Sequence, residues 1–175
     1  MIRNNIYIFS DIEELNAILS LLVVDGNLNL DVFSRHKNTA EWLLKYWGVT
    51  SEPIPVTVNA NKISFTTLQE VNIASLLEVA KLIPKGIIEY LAASDTLGEN
   101  VKHISISQQV PIENNITINT REFACLVWDK DYYDYLKQFR KNKNIALDDI
   151  ADLTYTEDYS TIDSILALGG TNACF

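Results

Sequence analysis

The chain has 175 residues, 47% of them apolar and 21% charged, a formal net charge of −9 and only two cysteines. A chain of this length buries a core without disulfides or structural metal, and the composition is that of an ordinary globular domain. The sign of the charge argues against a protein that grips nucleic acid by neutralising phosphates, which needs surplus Lys and Arg. The longest apolar run, 17–24, is interrupted by Ser20 and stopped by Asp25-Gly26, well short of the roughly 18 residues of a membrane helix. The opening MIRNNIYIFSDIEEL lacks the basic, apolar, small-residue order of a secretory leader, so a cytoplasmic protein is expected.

IYIF at 6–9 reads as a short buried strand. Ser10 with Glu13 has the capping-box spacing, and Ile12, Leu15, Ile18, Leu19 and Leu22 follow at helical spacing until Asp25-Gly26. A second helix is predicted over 39–47. Thr39 would cap it, Trp42, Leu43 and Tyr46 would form its apolar stripe, and Gly48 would stop it. Pro53 and Pro55 exclude helix from the next stretch. Val56 and Val58, then Ile63 and Phe65, alternate with polar residues across Asn59-Ala60-Asn61, a hairpin pattern.

Thr67 and Glu70 form a second capping-box spacing, which predicts a helix over 68–83 ended by Pro84. GIIEYLAA reads as a further helical turn or two, and TLGEN as a loop. HISIS at 103–107 and ITIN at 116–119 alternate as strands, with Asn114-Asn115 as their turn. EFACLVW at 122–128 is a fuller apolar run, suited to a central strand, with Cys125 as a buried thiol. Asp131 opens a helix whose KQFRKNK end is basic, as the helix dipole prefers. Short helices are predicted over 146–153 and from Ser160 onward. The pattern favours hairpins over βαβ alternation. It therefore predicts an α+β fold, a mainly antiparallel or mixed β-sheet packed by several α-helices, in a single domain over 1–175.

Motifs that carry chemistry are scarce. Neither His36 nor His103 has an acid or Cys at metal-ligand spacing, and CxxC and HExxH are absent. The six glycines form no GxGxxG or phosphate loop, and GxSxG is absent. The terminal GGTNAC resembles the C-terminal glycine-rich loop of β-ketoacyl synthases over those six residues. That family uses a Cys followed by two His, whereas here both His precede both Cys, so no residue role carries over. Gly169 after Leu168 reads more simply as the end of a helix. No cofactor, metal or catalytic residue is expected.

One charge pattern stands out. From Ile145 onward the acids Asp148, Asp149, Asp152, Glu157, Asp158 and Asp163 occur with no Lys or Arg. Tyr155 and Tyr159 lie among them, and Tyr is enriched at interface hot spots. Acids steer association with basic partners. Asp148, Asp149, Asp152, Tyr155, Glu157, Asp158 and Tyr159 are therefore the expected partner-binding residues. A small acidic protein of this kind suits an immunity-type inhibitor of a basic partner, such as a bacterial nuclease toxin. A small enzyme whose site assembles from scattered residues, or a structural assembly subunit, are the alternatives.

Overall fold

The computed structural model describes residues 1–33, 39–96, 100–132 and 134–135. Strands β1 (Ile2–Phe9), β4 (Thr57–Asn59), β5 (Lys62–Thr67), β6 (Ile87–Ser94), β7 (Lys102–Ser107) and β8 (Val110–Glu113) form one sheet in the order β4-β5-β1-β6-β7-β8. Every pairing in it is antiparallel. Helices α1 (Ile12–Leu22), α2 (Ala40–Trp47), α3 (Ile73–Lys81) and α4 (Thr120–Val127) pack on it. A small hairpin of β2 (Val23–Val24) and β3 (Asn27–Leu28) follows α1, and one 3-10 turn covers Leu30–Val32. The fold is α+β, as the pattern of elements predicts.

Alternation along the strands divides the side chains between two faces. Ile6, Ile8, Ile63, Phe65, Ile88, Ile104 and Ile106 form the main core with Ile18 and Leu22 of α1, Leu43 and Trp47 of α2, and Leu76 and Val79 of α3. The opposite face carries Leu91 and Ala93, covered by Phe123, Ala124 and Val127 of α4. Two buried asparagines tie the layers. Asn4 donates to Thr67 Oγ1 at 2.8 Å and accepts from the Tyr90 hydroxyl at 2.7 Å, forming a polar rung across β5, β1 and β6. Asn5 donates to the Val127 carbonyl at 2.9 Å and anchors the end of α4.

Several elements depart from expectation, each for a local reason. GIIEYLAA is the central strand β6, not a helix. Both its faces are covered, so it lacks the alternation that marks a one-sided strand. EFACLVW lies in helix α4, not a strand. Asn119 caps it by accepting from Arg121 N at 2.9 Å, and Phe123, Ala124 and Val127 meet the sheet at helical spacing. ITIN forms no strand. The partner of β7 is instead β8, joined through Gln108 and Gln109, which both take positive φ in a two-residue hairpin turn.

Thr67 caps no helix and stays in β5. Helix α3 begins only after Asn72, whose side chain accepts from Ala74 N at 2.9 Å. Asp11, rather than Ser10, caps α1 by accepting from Glu14 N. Asp25-Gly26, at positive φ, turns the β2–β3 hairpin rather than ending the helix itself. The 39–47 helix and the 56–65 hairpin match the sequence reading. The helices predicted over 146–153 and from Ser160 lie outside the described residues.

Tyr7 packs beside α4, and burial pushes its hydroxyl pKa up to about 12, with Asp129 adding and Arg3 opposing. Burial raises Tyr90 further in the same direction. Both groups stay protonated in the folded chain while an unfolded tyrosine ionises near pH 10. The unfolded state then binds fewer protons, so stability falls as pH rises from about 10 through the folded pKa. Urea midpoints should decline over that window, and Tyr7→Phe should flatten the decline. An equal slope in the variant would refute the assignment.

Candidate functional site

The residues singled out by the sequence, Asp148, Asp149, Asp152, Tyr155, Glu157, Asp158 and Tyr159, lie outside the described residues, as do His36 and Cys174. Cys125 is a free, buried thiol of α4, as expected apart from its element. Burial raises its pKa, so it is a weak nucleophile. Among the described residues no group of three or more His, Cys, Asp or Glu could hold a metal ion.

His103, read in the sequence only as the start of a strand, belongs to a buried polar network. It is 5% exposed and Glu89 6%. In the register of β6 and β7, Glu89 lies opposite Ser105 and His103 opposite Leu91, so all three polar residues share one face. His103 Nε2 lies 2.6 Å from Glu89 Oε2, and the Ser105 hydroxyl donates to the same oxygen at 2.7 Å. Asn114 Nδ2 donates to Ser105 Oγ at 2.6 Å, joining the segment after β8. The carboxylate is the hub here, whereas acyl transfer sets an imidazole between nucleophile and carboxylate. The arrangement cross-links two strands and the chain that leaves the third.

The outer surface of α1 and β2 has another character. Ile12 is 67% exposed, Leu21 44% and Val24 48%. Asp11, Glu13, Asp25 and Asp31 are exposed as well. None of these four acids enters an ion pair among the described residues, while Asp95, Asp129, Glu70 and Glu78 do. The acids of α1 gather at its N-terminus because Asp11 caps it and Glu13 and Glu14 complement its dipole. Ile12 and Leu21 stand at opposite ends of α1, roughly 13 Å apart along its axis, so these are separate exposed groups along an acidic element rather than one apolar patch.

A groove opens between α2, α3 and the 3-10 turn. Phe33, Trp42, Tyr46, Trp47, Ala74, Ser75 and Glu78 line a cavity of about 290 Å³. Trp42 and Tyr46, one turn apart on α2, have ring centroids 5.4 Å apart, and Phe33 and Trp47 5.0 Å. Of the apolar stripe read from the sequence, Leu43 is buried, but Trp42 and Tyr46 are only half-buried and face this groove, while Trp47 fills the core. The i, i+4 spacing of Trp42 and Tyr46 was the visible signal, since such pairs share one helix face. Glu78 on α3 could not be matched to them before the helices were packed.

Among the described residues no helix is long and apolar enough to cross a membrane. Comparison with protein-family models, with curated proteins and with solved structures finds no match to this chain.

Proposed function

We propose that this chain is an acidic partner-binding protein, an inhibitor of a basic protein in the manner of toxin-immunity proteins. The observation that carries the reading is the exposure of Asp11, Glu13, Asp25 and Asp31 along α1, the β2–β3 hairpin and the 3-10 turn after it, none of them in an ion pair among the described residues. Singly exposed apolar side chains such as Ile12, Leu21 and Val24 are ordinary on a surface, so the charge carries the choice of partner. Unpaired acids raise the encounter rate with a basic partner and repel acidic ones. A net charge of −9 supports the same choice of partner. A basic nuclease toxin is one such partner, because nucleases hold phosphates with Lys and Arg. The acids and tyrosines of 148–159, read from the sequence, belong to the same proposal.

The test is retention of basic proteins on the immobilised chain at low salt. Retained proteins should be basic and should release toward 1 M salt, where the Debye length is about 3 Å. The double variant Glu13→Lys, Asp31→Lys changes only exposed residues. It should slow association about tenfold, with only a small fall in melting temperature from the lost charge at the α1 N-terminus. Reversal of Asp149, Asp152 and Asp158 is the second arm. Retention that ignores both salt and all five reversals would refute the proposal.

A further inference from the structure

The aromatic groove between α2 and α3 combines two features that each attract a cation. Trp42, Tyr46 and Phe33 line it with aromatic rings, and the face of such a ring attracts a cation. Glu78 supplies a carboxylate on the opposite wall. The neighbouring lysines already respond to both. Lys45 Nζ lies 5.3 Å from the Tyr46 ring centroid, and Lys81 pairs with Glu78. Both contacts are exposed or marginal, so they hold their partners weakly. The indole N–H of Trp47, another lining residue, is buried without an acceptor among the described residues; as a donor it takes no part in holding a cation. A cavity of about 290 Å³ admits a side chain but sits at the lower limit for a drug-sized ligand.

We infer that this groove is a subsite for an arginine side chain of a basic protein partner. A guanidinium is planar, stacks on aromatic faces and meets a carboxylate through two parallel hydrogen bonds, which an ammonium does not. The half-exposed pair of Trp42 and Tyr46 is the stacking wall, and Glu78 is the fork's acceptor. Lys45 and Lys81 move aside as the guanidinium enters. The source of the arginine rests on the partner-binding reading above. The site's own chemistry rests on the groove.

The test uses a five-residue peptide, acetyl-Gly-Gly-Arg-Gly-Gly-amide, and its citrulline analogue, which keeps the shape and loses the charge. The arginine peptide should shift the indole N–H resonances of Trp42 and Trp47 and leave that of Trp128 in place. The citrulline peptide should bind at least tenfold more weakly. Glu78→Gln, at an exposed position, should weaken the arginine peptide several-fold with the spectrum otherwise unchanged. Trp42→Phe should weaken it less than Trp42→Ala. Equal binding of the two peptides, shifts confined to Trp128, or an unchanged affinity in Glu78→Gln would each overturn the inference.

The two readings separate cleanly. If the groove ignores arginine while basic proteins are still retained through Glu13 and Asp31, the subsite fails and the partner-binding reading stands. If the groove takes arginine but no basic protein is retained, the reverse holds.

Discussion

Gly48→Ala should destabilise the fold by about 4 kcal/mol or more, the range reserved for a named structural conflict. Gly48 ends α2 in the left-handed conformation, with φ +69°. Its N–H bonds the Leu43 carbonyl, and its own carbonyl accepts from Leu68 and Gln69. These bonds press the chain that leaves β5 against the helix end. A Cβ at position 48 would lie 2.1 Å from the Gln69 carbonyl oxygen. Either the helix end or the β5–α3 connection must then move, and α3 carries core residues.

Gly26 provides the control. It too has positive φ, +73°, but a Cβ there meets nothing within 4 Å. Gly26→Ala should therefore cost only the dihedral penalty, about 1 to 2 kcal/mol. Urea unfolding with matched slopes measures both. Equal losses at the two positions would show that backbone conformation, not the approach of Gln69, decides Gly48.

The elements legible in the sequence were those whose determinants are local. Thr39, the Trp42 and Leu43 pair and Gly48 specify α2 within ten residues, by a cap, a stripe and a stop. The β4–β5 hairpin is specified by alternation on either side of its turn. What failed was set by distant partners. Ile87–Ser94 is a strand because β1 and β7 flank it and helices cover both faces. A run buried on both sides has no period to read. Helix α4 is the exception: its cue, the Asn119 cap, is local but is masked by the β-like apolar run that follows.

The candidate sites divide in the same way. Asp11 and Glu13 on α1 were visible as the start of a helix. That both stay exposed and outside any ion pair among the described residues depends on how α1 rolls onto the sheet. Glu78 had no visible connection to Trp42, because the two meet only where α2 packs on α3. Glu89 was hidden in a segment read as helix.

Glu89→Ala should cost about 3 to 5 kcal/mol, as removing one partner of a buried polar pair does. The carboxylate is the common partner of the His103 ring nitrogen and the Ser105 hydroxyl. Truncation strands both behind β6, each at about 1 to 3 kcal/mol, and leaves a hole where surrounding atoms relax only in part. Ser105 keeps its bond from Asn114, so its share is the smaller. Glu89→Gln separates shape from charge. Its amide oxygen can accept both bonds in place of Oε2, so the loss should fall to about 1 kcal/mol. Glu89→Leu fills the hole yet strands both polar groups, so it should resemble Ala rather than Gln. The damage should also be local at first. Amide exchange in β7 and β8 should quicken before that in β1 and β5, because Ser105 and Asn114 carry the network toward the β8 edge of the sheet. A loss within about 0.5 kcal/mol for Glu89→Ala would place it among ordinary surface substitutions. The network would then be incidental to the sheet rather than part of what holds β7 to β6.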